Sequence, residues 1–88
     1  MIVDDEKYYI TVLFFATLRD RAGTKSIHLE IPAETTVARL RILLSEKYLS
    51  LKGLADHSLV SVNREYVYNE TEIPDGAEVA LFPAVSGG

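Results

Sequence analysis

Residues 8–15, YYITVLFF, constrain this chain more than any other stretch, because eight consecutive aromatic, β-branched and aliphatic residues near one end must be paired or buried. The run is too short for a typical helix and is ended by the mixed-polarity stretch Ala16 to Gly23, so it reads as a strand. The chain has 88 residues and no cysteine, so one core has to hold one small domain without staples. Roughly 64% of the extended chain's surface leaves water at this size, enough for a modest core. Without thiols there are no disulfides, thiol nucleophiles, iron–sulfur ligands or thiolate zinc sites, and a cytoplasmic location is expected.

The other elements follow from period and punctuation. Ser26-Ile27-His28-Leu29-Glu30-Ile31 alternates polar and apolar and stops at Pro32, as a half-buried antiparallel partner of the first strand would. Thr35 or Thr36 can cap a helix over about residues 37–48, whose Val37, Leu40, Leu43, Leu44 and Tyr48 recur at spacings of three and four. After an ambiguous stretch containing Gly53, Leu59 to Val62 reads as a strand, Asn63-Arg64 as a turn and Tyr66 to Tyr68 as a short return strand. Pro74-Asp75-Gly76 is a turn in which Pro sets φ and Gly accepts positive φ, and Glu78 to Phe82 is the last strand.

The order β-β-α-β-β-β describes an α+β domain, a mixed sheet with one helix packed across one face and the other face open. It resembles a β-grasp, or ubiquitin-like, fold, in which the first and last strands run parallel at the centre. The expected organisation is an acidic N-terminal extension over residues 1–7, the domain over 8–82 and a C-terminal tail over 83–88. If Val12 and Phe14 face the helix, Thr11, Leu13 and Phe15 face the open side. By the same count Val79 and Leu81 enter the core, Ala80 and Phe82 join Phe15 outside, and Tyr66 and Tyr68 flank Val67 there. An exposed aromatic patch of this kind marks a protein interface.

Phe82 is followed by Pro83-Ala84-Val85-Ser86-Gly87-Gly88, an arm that reaches at most about 20 Å when extended. The terminal glycines put no side chain beside the carboxylate, so a narrow channel in another protein can admit it. Proline at 83 stiffens the exit.

Leu13-Phe14-Phe15-Ala16, Ala22-Gly23, Val62-Asn63, Asp75 to Ala80 and above all the segment Phe82 to Gly88 are similar to the sulfur-carrier family of the molybdopterin synthase small subunit (MoaD), with the thiamine sulfur carriers (ThiS) as cousins. The likeness runs from about Tyr8 to the C-terminus. It departs at Ala84, where the family commonly has a second proline. The resemblance implies that an E1-like, MoeB-like adenylyltransferase uses ATP to adenylate Gly88 and that a sulfur donor converts it to a thiocarboxylate. It also implies that the tail Pro83, Ala84, Val85, Ser86 and Gly87 inserts into a MoaE-like large subunit to supply sulfur for the molybdopterin dithiolene. The family's contact positions carry over to Phe15, Tyr66 and Phe82. No bound cofactor or metal is implied, and the chain is not catalytic alone.

Net charge is −4 with no basic run, which argues against a nucleic-acid partner, and no apolar stretch approaches the ~20 residues of a membrane span. His28 and His57 have no third ligand at metal spacing. Arg19-Asp20-Arg21 reads as a solvated loop, Asp75 as part of its turn, Glu70 and Glu72 as solvated, and Arg39 and Arg41 as the exposed side of the helix. No Ser-His-Asp order, glycine-rich phosphate loop or EF-hand pattern is present. The alternatives are a carrier for thiamine or another pathway, a protein modifier joined to lysines through Gly88, and an interaction module with an inert tail.

Overall fold

The computed structural model describes residues 6–84. Strand β1 (Lys7–Phe14) pairs antiparallel with β2 (Ser26–Pro32), and between them lies a short helix α1 (Thr17–Ala22). Helix α2 (Val37–Lys47) follows, then 3₁₀ turns at Leu49–Leu51 and Ala55–His57, strands β3 (Leu59–Val62) and β4 (Glu65–Tyr66), and finally β5 (Glu78–Phe82). The sheet order is β2-β1-β5-β3-β4, with β5 parallel to β1 and antiparallel to β3. This is the mixed five-stranded β-grasp that the element order implied, with the two most apolar strands at its centre.

Alternation in β1 puts Ile10, Val12 and Phe14 under α2, and β5 adds Val79 and Leu81. Helix α2 answers with Val37, Leu40 and Leu44, all buried, while Tyr48 packs half-buried with its ring edge against Phe14. The Thr36 hydroxyl accepts from the Arg39 N–H at 3.2 Å and so caps α2. Two further N–H groups of its first turn, on Val37 and Ala38, donate to the carbonyls of Thr71 and Asn69. The same segment is thereby stitched to the helix.

The turn before β5 is also specified by side chains. Gly76 takes φ +79°, and its N–H donates to the Tyr9 carbonyl at 2.9 Å. The Asp75 carboxylate accepts from the Tyr9 N–H at 2.8 Å, standing in for a strand partner where β1 extends beyond β5. That bond sets where the parallel ladder begins.

Two elements differ from the sequence reading. Residues 17–22 are helical, where Arg19-Asp20-Arg21 reads as a loop. The helix buries only Leu18 and is closed by Gly23 at φ +79°, so it is too short to display a period. Strand β4 ends at Tyr66 instead of running to Tyr68, because after the Val67 N–H donates to the Val60 carbonyl the chain turns toward α2 through Asn69 and Thr71.

Leu81 is fully buried in a central strand, whereas Leu49 is 75% exposed. Leu81→Ala is expected to cost about 2–5 kcal/mol and Leu49→Ala less than about 0.5 kcal/mol, measured by urea unfolding.

Candidate functional site

The parallel register pairs Phe14 with Leu81, so Phe15 and Phe82, one step further, emerge side by side on the open face. The Phe15 N–H donates to the Leu81 carbonyl at 3.2 Å. The two rings stack with centroids 4.6 Å apart and planes 11° apart, and Tyr66 of β4 leans on Phe82 at 6.0 Å and 57°. Phe15 remains 40% and Tyr66 69% exposed. Aromatic pairs of this geometry contribute about 0.5–1.5 kcal/mol each beyond burial, so the patch is ordered while still open to water.

The three residues singled out for the face, Phe15, Tyr66 and Phe82, thus form one contiguous cluster. Ala80 departs from the expectation: it lies on that side but is 6% exposed, because its methyl group sits between Leu13 and Ser61 in the register and larger neighbours cover it. Tyr68 is exposed beyond the end of β4. Pro83 is half-buried and Ala84 exposed at the start of the arm, and Val85, Ser86, Gly87 and Gly88 lie outside the described residues.

Unfavourable backbone conformations flank the cluster. Ala16, directly after Phe15, has φ 54° and ψ −126°, and the Leu18 N–H donates to the Phe15 carbonyl at 3.1 Å. This is a type II′ arrangement whose first central position favours glycine. On the other flank Asn63 and Arg64 take φ 52° and 73°, the pattern of a type I′ hairpin. Asn63 suits it: its N–H donates to the Glu78 carbonyl at 2.8 Å, and its Oδ1 accepts from the Glu78 N–H at 2.9 Å. Arg64 has no such compensation. The left-handed conformation costs a residue with a Cβ about 1 kcal/mol, and its Nε lies 3.6 Å from Glu78 Oε1 with the Arg64 side chain 87% exposed. An ion pair that open contributes about 0–1 kcal/mol.

Comparison with known proteins gives this arrangement a lineage. The ThiS family model matches residues 12–88. The chain belongs to the ThiS family. It is 33% identical to the molybdopterin synthase sulfur carrier subunit of Drosophila yakuba, with the whole of both chains aligned. To the subunit of the same name from Caenorhabditis briggsae it is 32% identical, over 90% of this chain and 96% of that one. Its fold matches a putative molybdopterin converting factor subunit 1 from Pyrococcus furiosus with TM-score 0.80 and 27% identity, covering 89% of this chain and 99% of that one. Small archaeal modifier protein 1 of Haloferax volcanii matches with TM-score 0.78 and 26% identity at the same coverage. A complex of subunits 1 and 2 of molybdopterin-converting factor from Helicobacter pylori, 23% identical over 91% of this chain and 99% of that one at TM-score 0.64, shares the fold.

In this ThiS-family chain Arg41 corrects the sequence reading. It is half-buried, whereas Arg39 is exposed as expected. Arg41 Nε donates to Asn69 Oδ1 at 2.8 Å, and Nη1 donates to the carbonyls of Ala55 and Ser58 at 2.7 and 2.8 Å. Burial pulls the guanidinium below its ordinary value and the charge of Asp56 pulls it back up. Arg41 ties the loop before β3 and the strand exit after β4 to α2, and so helps hold the hairpin that carries Tyr66. Its spacing of four from Val37 and three from Leu44 is the signal the sequence offered, since it sets Arg41 on the rim of the buried stripe.

His28 is exposed on β2, where Nδ1 lies 3.3 Å from the Thr11 hydroxyl, and His57 is exposed in the second 3₁₀ turn. Glu70 and Glu72 are exposed as well. Among the described residues no three His, Asp or Glu side chains gather as a metal site, and no helix is long and apolar enough to cross a membrane.

Arg41→Ala leaves the Ser58 carbonyl without its Arg41 donor, takes one of several donors from the Ala55 carbonyl, and is expected to cost about 1–3 kcal/mol. A urea midpoint lowered at unchanged slope would show it, with Arg39→Ala within about 0.5 kcal/mol of the parent as the control.

Proposed function

We propose that this chain is the sulfur-carrier small subunit of a molybdopterin synthase, using Gly88 as the carrier atom's attachment point and the Phe15–Tyr66–Phe82 face to seat its partners. The observation that carries the reading is the placement of that face at the end of β5, directly where the arm toward Gly88 begins, in a member of the ThiS family. The two curated relatives compared above, which bear the sulfur-carrier name, align along 90% or more of the chain.

In the proposed cycle the Gly88 carboxylate attacks ATP on an E1-like, MoeB-like activating enzyme, forming an acyl-adenylate and releasing pyrophosphate. A sulfur donor then displaces AMP, leaving a thiocarboxylate. The arm Pro83 to Gly87 enters a MoaE-like large subunit, where the sulfur passes to the pterin precursor and water restores the carboxylate. This chain contributes the sulfur, the reach and the docking face, and the acids and bases belong to the partner. The absence of cysteine leaves the C-terminus as the position for reactive sulfur.

A second reading is conjugation to lysines of other proteins through Gly88, favoured by the likeness to small archaeal modifier protein 1. Intact mass after incubation with the activating enzyme, ATP and sulfide separates the two. Exchange of one oxygen for sulfur, absent when Gly88 is deleted, is the expected result. Isopeptide adducts without that exchange would favour the modifier, and no change with an active enzyme would leave the tail inert. Phe82→Asp is expected to weaken binding to both partners by about tenfold or more with the fold retained by circular dichroism, because charge at the patch centre opposes desolvation. Unfolding instead would make Phe82 a core residue.

A further inference from the structure

We infer that Arg64 is a recognition residue: when a partner protein seats on the aromatic face, the guanidinium leaves Glu78 and takes a carboxylate of that partner. The inference rests on the reading above that this face seats a partner. A residue kept only to close the β3–β4 hairpin would be glycine or asparagine at this position, since both central residues of the turn lie at positive φ. Asn63 meets that demand at the first position, and Arg64 at φ 73° does not meet it at the second. The side chain itself is held by little. It is 87% exposed, and among the described residues its one ionic contact is the 3.6 Å approach to Glu78, itself partly exposed.

The position of that loosely held cation is what gives it a use. Arg64 and Glu78 are the charged residues lining the depression over the patch, beside Phe15, Tyr66 and Phe82. Arginine at the rim of an aromatic cluster presents a planar fork of donors, of which the Nε side alone faces an acid here. An incoming carboxylate can be held by two donors at once, a better geometry than the existing pair offers. Of the two charges Arg64 stands further out, its side chain 87% exposed against 43% for Glu78, so it is the charge an incoming surface meets first and the complementary group on the partner is acidic.

The test is titration calorimetry of the full chain against the molybdopterin synthase large subunit of the same organism, at low and high salt, together with thermal melts. Arg64→Gly is expected to melt at the same temperature or higher, because the backbone is relieved, yet to bind about tenfold more weakly at low salt. The deficit should narrow at high salt, and Arg64→Lys should recover part of the affinity by keeping the charge. Parent-like affinity of Arg64→Gly, or a lower melting temperature for it, overturns the inference: the first removes the contact, the second makes Arg64 a structural residue. Failure of the parent chain itself to bind would instead overturn the partner-face reading and this inference with it.

Discussion

Everything that positions the site depends on the parallel pairing of the first and last strands. β1 and β5 are far apart in sequence, yet their ladder from Thr11–Glu78 to Phe14–Leu81 forms the centre of the sheet. Parallel pairing needs a long crossover, and the intervening residues supply it with β2, α2 and the β3–β4 hairpin. Its register does two things at once. It delivers alternate residues of both strands to the helix, and it brings Phe15 and Phe82 out at the same end, where the chain leaves the sheet at Pro83. A slip of one residue would exchange core and open faces along the strand.

The two faces are built on different physical terms. Under α2 the side chains are fully buried and close-packed, and truncation there is costly. On the open face the aromatic rings order one another through stacking and leave their outer surfaces wet. An ordered apolar surface loses little side-chain freedom when a partner covers it, which suits the docking role proposed for this face. The unfavourable backbone at Ala16 and Arg64 lies at the two flanks of this face. Elsewhere, Glu34 is the remaining non-glycine residue at positive φ among the described residues. Part of the core's stability is thus drawn on to hold loops that glycine would close more comfortably.

Much of this was legible in the residues. Period two in β2, the spacing of three and four in α2 and the parity of β1 and β5 named the core, and the same parity put Phe15, Tyr66 and Phe82 on one side. Where the reading failed, the signal was too short or came from elsewhere in the chain. α1 buries a single side chain, so no period could reveal it. β4 stops early because the first turn of α2 takes the carbonyls that follow it. Arg41 looks like a solvated helix charge until oxygens of Ala55, Ser58 and Asn69, remote in sequence, close around its guanidinium.

The sequence by itself determined which residues form most of the strands and the main helix, which face of each is apolar, and that Gly87 and Gly88 carry no side chains. These are local properties, set by the pleat, the helical repeat and the absence of a Cβ. Only the tertiary structure decided that Phe15, Tyr66 and Phe82 touch, that Ala80 is covered, that Arg41 is a tether and that Arg64 stands loose beside the patch. Those facts depend on strand register and on the packing of segments remote in sequence. Such contacts are fixed by the free energy of the whole core and not by any one stretch of chain.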